Sequence, residues 1–274
     1  MSDTTQLFRL DGEVAVIAGA GSDFAPLIAE ALADAGADVA LADLSAEKAW
    51  TVAERVLAKG RRAHAAGFDA TRKAEVDRFM QDTSNRLGPA TVLVNLIAAP
   101  VVKGPSETYD DAVFARMLDI DVRGFLLFAQ AAWRFMSVAG HGSIVHFAST
   151  AGVQGQQHQP AYSAAKGAVV QLTRTLALDW APQIRVNAIA PTMFDTTGLR
   201  QVREGRPELG LPPMPPGYLD RAIARIPLGR IGRPEEIVGP VLFLATKASS
   251  MVTGTVLMVD GGVTAGTYAG PNQL

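Results

Sequence analysis

Tyr162 and Lys166 stand four residues apart in the run Tyr162-Ser163-Ala164-Ala165-Lys166, within a stretch of helical periodicity at 161–180. Residues four apart share one helix face, so a phenol and an ammonium can be neighbours there. A cation beside a phenol favours its ionised form, which suits the pair to moving a proton. The plainer reading of this spacing is a surface contact between a tyrosine and a lysine. Ser149 ends the run 142–149; its hydroxyl could polarise a carbonyl, or it could be a turn residue closing a strand. A different chemistry is suggested at Gly19-Ala20-Gly21-Ser22-Asp23-Phe24-Ala25, which follows an apolar run and opens a helical pattern. Such a turn offers backbone N–H groups and a helix N-terminus to a phosphate. Glycine also serves strand–helix turns that hold no ligand. Asp43 closes the next apolar run, about two dozen residues on, where a carboxylate can accept both ribose hydroxyls of an adenosine. The alternative is that it caps the following helix, a role Ser45 fills equally well. A carboxylate opposes a 2′-phosphate, and Ala42, Leu44 and Ser45 supply no compensating cation, so NAD is expected rather than NADP.

These groups need a scaffold that brings strand ends together. Short apolar or β-branched runs at 14–18, 38–42, 62–68, 91–94, 143–147, 184–189 and 255–259 read as strands. Helical patterns at 24–35, 46–58, 73–87, 111–138, 161–180 and 234–246 lie between them. Strands that are apolar on both faces and alternate with helices predict a parallel sheet covered on each side. The expected fold is a single Rossmann-type α/β domain, doubly wound and seven-stranded, its ligand crevice at the carboxyl ends of the strands. The segment at about 192–226 breaks the rhythm with Leu211-Pro212-Pro213-Met214-Pro215-Pro216-Gly217 and only a short periodic stretch near 219–226. Long irregular insertions in compact domains are usually functional or mobile, so it reads as a substrate lid.

Composition narrows the function classes. The chain has 274 residues, 48% hydrophobic and 19% charged, which is ample for a core and argues against disorder. With a net charge of −2 and no long run of one sign, neither nucleic acid nor a membrane surface is an expected partner. There is no cysteine, which excludes disulfides and thiolate chemistry. No signal-peptide pattern opens the chain and no apolar stretch reaches membrane-spanning length, so a soluble cytoplasmic protein is expected.

Taken in order, the motifs resemble those of the short-chain dehydrogenase/reductase family from about residue 10 to 262. They are Gly142-Ser143-Ile144-Val145 leading to Ser149, Tyr162-x-x-x-Lys166, Arg185-Val186-Asn187-Ala188-Ile189-Ala190-Pro191, Gly232-Arg233-Pro234-Glu235-Glu236-Ile237, Thr253-Gly254 and Asp260-Gly261-Gly262. The resemblance implies Tyr162 as general acid/base, Ser149 as the group orienting the substrate oxygen, and Lys166 holding the nicotinamide ribose while tuning Tyr162. It also implies that Gly19, Gly21, Ser22 and Asp43 meet the nucleotide and that Asp69 and Ala70 flank adenine. Asn95 matches the first asparagine of the family's Asn-Asn-Ala-Gly turn; Phe194 and Thr196 match positions touching the nicotinamide amide. The implied partner is a small alcohol or ketone, and the implied assembly a homotetramer paired through the helices at 111–138 and 161–180. Phe125, Phe128, Trp133, Leu172 and Leu176 give those helices apolar surface beyond one face. The expected substrate wall is mixed: 99–102, 153–157, His158, Met193, Phe194 and parts of 199–218, with Arg200, Arg203 and Arg206 available to an acidic substrate.

Four departures from the family pattern matter. Of the glycines in the Gly-x-x-x-Gly-x-Gly turn only Gly19 remains, the other two being Asp23 and Ala25. The Asn-Asn-Ala-Gly turn reads Asn95-Leu96-Ile97-Ala98. Pro191-Thr192 replaces Pro-Gly, and Asp121 stands where a helix asparagine completes a proton relay. A carboxylate ~5 Å from a phosphate charge at an effective dielectric of ~20 costs about 3 kcal/mol. Alternatively Asp23 stabilises its own helix start, with Pro26 in the first turn. Asp121 accepts hydrogen bonds where asparagine both donates and accepts; it could hold a relay water or accept the proton itself. Two functions therefore stand: an NAD-dependent oxidoreductase interconverting a secondary alcohol and a ketone, or a non-catalytic, regulatory relative with weakened cofactor binding.

Overall fold

A computed structural model describes residues 4–205 and 213–267. Seven parallel strands form one sheet in the order β3-β2-β1-β4-β5-β6-β7. They are β1 (Val14–Ala18), β2 (Asp38–Asp43), β3 (Ala63–Gly67), β4 (Val92–Asn95), β5 (Gly142–Phe147), β6 (Ile184–Pro191) and β7 (Val256–Val259). Every residue of β1 and β4 is buried, because helices cover both faces. Ala15 and Ile17 face a layer of α1 (Ala25–Asp34), α2 (Ala46–Ala58) and α9 (Val238–Ala245). Val14, Val16 and Ala18 face α3 (Lys73–Arg86), α5 (Gly124–Ala139) and α6 (Pro160–Trp180). The chain reverses direction across the sheet between β1 and β4, which opens a crevice at the strand carboxyl ends.

The single helix expected over 111–138 is interrupted. It divides into α4 (Asp111–Leu118), a π-helical turn over Asp119–Arg123, and α5. The wider turn drives Asp121 fully inward, a placement that an unbroken apolar stripe on either side of it gives no sign of. The segment after β6 is less irregular than expected, with α7 (Thr197–Glu204) and α8 (Tyr218–Ile223). Arg206 and the Leu211-Pro212 start of the proline-rich run lie outside the described residues.

Phe125, Phe128 and Leu176 are buried within the chain itself, so they do not need a second copy to cover them. Trp133 on α5 stays 41% exposed, its ring 6.4 Å from that of Trp180 at the end of α6. Among the described residues no helix is long and apolar enough to cross a membrane, and no cluster of three or more His, Asp or Glu could hold a metal ion.

Candidate active site

The turn after β1 is shaped by close approach. Gly19 has φ +95°, and a Cβ there would come within 2.8 Å of the backbone of Leu96 and Ile97. A Cβ on Gly21 would meet Asp43 Oδ2 at 2.9 Å and Lys48 Cδ at 3.0 Å. At Gly19 only glycine lets the backbones meet, whereas at Gly21 the neighbours are side-chain ends that can shift; the crevice these segments bound, about 1260 Å³, is large enough for a dinucleotide. Asp43 Oδ2 accepts the Gly21 N–H at 2.7 Å, and Oδ1 accepts the Ser45 N–H at 3.0 Å. Ser45, not Asp43, caps α2 through the Lys48 N–H. Each Asp43 oxygen keeps a lone pair for a ribose hydroxyl. Next to Asp43 an apolar slot is walled by Phe68, Ala70, Ile97, Ile120 and Phe128. Asp69 borders it and accepts from the Thr71 N–H and hydroxyl at 2.9 and 2.8 Å. Burial works against the Asp69 charge, but the Thr71 donors, Arg116 and Arg72 together hold its carboxyl below the usual aspartate range. The cradle and slot fit a nicotinamide dinucleotide through its phosphates, ribose and flat base.

Asp23 sits just before α1, and its carboxylate makes no hydrogen bond to that helix start. α1 starts at Ala25, preceded by Phe24 with no side-chain cap, and Ser22 Oγ accepts the Phe24 N–H at 3.3 Å. The Asp23 carboxylate instead crosses the crevice to accept the Thr197 N–H at 2.7 Å, at the first residue of α7. Thr196 lines the crevice and caps α7 through the Leu199 N–H at 3.2 Å. The Phe194 ring turns inward, edge-on to Phe24 at 5.4 Å, against a Gly232 whose Cβ would sit 2.6 Å away.

The reactive groups converge at the ends of β4 and β5. Lys166 is buried and its ammonium lies 3.0 Å from Asp121 Oδ2, donates to the Phe147 carbonyl at 3.2 Å, and faces the Tyr162 ring at 5.8 Å. Burial alone would lower the Lys166 pKa; the charges of Asp121 and Tyr162 outweigh it and hold the ammonium above the ordinary lysine range. Asp121 Oδ1 accepts the Ala99 N–H at 2.6 Å, so one carboxylate ties the loop after β4 to the buried lysine. Ser149 opens a short turn, its Oγ accepting the Ala151 N–H at 3.2 Å, and that turn packs on α6 so tightly that a Cβ on Gly152 would come 2.5 Å from the Lys166 carbonyl. Asn95 is buried beneath, donating to the Phe125 carbonyl at 3.4 Å and leaving Oδ1 without a partner.

Two residues escape a reading of the sequence alone. Lys48 lines the crevice beside Asp43 and is the cation that the immediate neighbours of Asp43 lack. It sits one helical turn away, so inspecting only 42–45 overlooks it. His146 pairs in register with Asn95 and hydrogen-bonds Thr173 at 3.2 Å. Burial first and Lys166 second push its pKa down to about 3, so it stays neutral under the ion pair. The apolar alternation through β5 disguises it as a core position.

The chain is similar over most of its length to known proteins. A family model described as enoyl-(acyl carrier protein) reductase matches residues 19–264. The chain is 36% identical to galactitol 2-dehydrogenase of Rhizobium johnstonii, over 94% of this chain and 98% of that protein. It is 38% identical to cis-4-hydroxycyclohexanecarboxylate dehydrogenase of Sinomonas cyclohexanicum, over 92% and 96% respectively. Among solved structures, a gluconate 5-dehydrogenase from Burkholderia cenocepacia in complex with NADP and tartrate superposes with a TM-score of 0.87 at 32% identity, covering 97% of this chain and 100% of that one.

Proposed function

The chain belongs to the short-chain dehydrogenase/reductase family, and from that premise we propose that it is a working, NAD-preferring enzyme interconverting a secondary alcohol and a ketone. The reading rests on the junction of Tyr162, buried Lys166 and the turn opened by Ser149, beyond the ends of β4 and β5. The nicotinamide, when bound, supplies hydride transfer. Tyr162 moves the proton of the reacting oxygen, Ser149 hydrogen-bonds that oxygen, and Lys166 holds a positive charge beside the phenol and reaches the nicotinamide ribose. Asp121 keeps Lys166 in place through the 3.0 Å pair. Gly19, Gly21 and Ser22 take the pyrophosphate, Asp43 the adenosine ribose, and Asp69 and Ala70 the adenine edge, while Asn95, Phe194 and Thr196 frame the nicotinamide end. Relatives that act on galactitol and on a hydroxylated cyclohexane acid favour a secondary alcohol on a polyol or ring. The test is a dehydrogenase screen over polyols, cyclic alcohols and hydroxy acids with NAD⁺. Turnover of none of them, together with no measurable NAD⁺ binding, favours the second reading, a non-catalytic relative, which Asp23 in the glycine-rich turn supports.

Cofactor choice follows from two opposed side chains. Asp43 should give NADH at least a tenfold advantage over NADPH in calorimetry. Lys48 tempers that preference, so Lys48→Met should weaken NADPH several-fold and leave NADH nearly unchanged. Tighter NADPH than NADH in the wild-type protein would overturn the assignment of Asp43. A homotetramer belongs to the same proposal, supported by exposed Trp133 on α5 and Leu178 on α6. Light scattering that returns a stable monomer at micromolar concentration removes it.

A further inference from the structure

The hydrogen bond between Asp23 and Thr197 joins residues 174 positions apart, across the crevice that the cofactor reading assigns to a dinucleotide. Its setting gives the bond weight. No side chain of α7 is fully buried: Leu199 and Val202 are half-buried, and the nearest buried anchor is Phe194, whose ring meets Phe24 three residues before the helix. The Asp195 N–H also donates to the Gly232 carbonyl at 2.8 Å, and polar contacts then define the first turn of the helix. Thr196 caps the Leu199 N–H, Arg200 forks onto Asp195 with both distances at 3.0 Å, and Asp23 takes the Thr197 N–H. The first two lie within the segment itself. Among these, the bond from Asp23 alone ties the start of α7 to the opposite wall. A carboxylate that accepts an amide at a helix start is also favoured there by the helix dipole. Arg200, held above its usual range mainly by Asp195, feels the Asp23 charge as well.

We propose that Asp23 is a positioning residue: an internal anion that holds the start of α7 across the crevice in the free protein and yields that place to the anionic part of the dinucleotide. A glycine at this position has no side chain to make such a bond. The departure from the family turn therefore ties the two walls together at the same time as it weakens the phosphate cradle. Thr196, which caps α7 and faces the crevice, directly precedes the residue that makes this bond. The inference rests on the nicotinamide reading for the ligand, while the clasp itself is a property of the free chain.

Two substitutions separate geometry from charge. Asp23→Asn keeps an acceptor for the Thr197 N–H and removes the charge; Asp23→Gly removes both. Amide hydrogen exchange on the ligand-free protein should show the peptide from 195 to 203 exchanging at least tenfold faster in Asp23→Gly than in wild type. Asp23→Asn should stay within about threefold of wild type, and peptides from β1 and β4 should be unchanged in both. Calorimetry with NAD⁺ should give at least fivefold tighter binding in both variants, since each removes the competing charge. Equal exchange in wild type and Asp23→Gly overturns the clasp. Faster exchange with unchanged or weaker NAD⁺ binding in both variants overturns the competition, and the proposal with it. If wild type and variants all fail to bind NAD⁺, the cofactor reading falls, and exchange alone still decides the clasp.

Discussion

Tyr162→Phe is expected to cut turnover of any accepted alcohol by roughly 10²–10⁴-fold, the range that general acid/base catalysis supplies. The change deletes one oxygen and keeps the ring. That ring packs with the small cluster of Ala99, Met117, Ala161 and Ala165, and it faces the Lys166 ammonium at 5.8 Å. Both interactions survive in phenylalanine, so the thermal midpoint should stay within a few degrees of wild type. Cofactor affinity should change little, because the phenol oxygen is assigned to the substrate side. The expected signature is therefore a fall in kcat with fold and NAD⁺ binding intact. A variant that keeps wild-type kcat/KM on a turned-over substrate would falsify the assignment of Tyr162. The scaffold would then have to supply the proton from another group, and His146, fully buried and held neutral, is poorly suited to that role.

The fold is legible in the sequence because the strands obey a strong physical rule. Runs such as 14–18 and 92–94 are apolar on both faces only where helices cover both sides of a sheet, and all seven expected strands fall within two residues of their observed limits. The meeting of Tyr162 with Lys166 is legible for a similar reason, since helical spacing alone puts them on one face. Pairings between segments distant in the chain are not legible in this way. Lys48 reaches Gly21 and Asp43 only because β1 and β2 pair in register from Val14↔Asp38 to Ala18↔Ala42. Local sequence offers Asp23 as a charge that stabilises its own helix start or repels a phosphate; its hydrogen-bond partner, 174 residues on, is invisible to either reading. Asp121 reads in sequence as a substitute for an asparagine in a relay. Nothing in that reading contains the π turn, which brings its carboxylate onto Lys166 and Ala99 together.

That buried pair sets the second large effect. Lys166→Met keeps the aliphatic stem and removes the ammonium, which leaves Asp121 completely buried with its charge uncompensated. Removing one partner of a buried ion pair costs about 3–5 kcal/mol. For a domain of this size each 1 kcal/mol shifts the thermal midpoint by roughly 2–4 °C. A fall on the order of 10 °C is therefore expected, alongside loss of turnover and weaker NAD⁺ binding. Adding Asp121→Asn to Lys166→Met removes the orphaned charge and keeps an oxygen for the Ala99 N–H, now accepted at 2.6 Å. Most of the lost stability should return in that double variant, measured by denaturant titration as a coupling between the two sites. Turnover should not return, because the ammonium that serves Tyr162 and the ribose is still missing. Asp121→Asn alone should cost much less than Lys166→Met, since an ammonium left without its carboxylate still donates to the Phe147 carbonyl and faces the rings of Phe125 and Tyr162. Additive stabilities for the two substitutions would mean that the 3.0 Å pair contributes no coupling. The lysine would then be held by Phe147 and the surrounding rings rather than by Asp121.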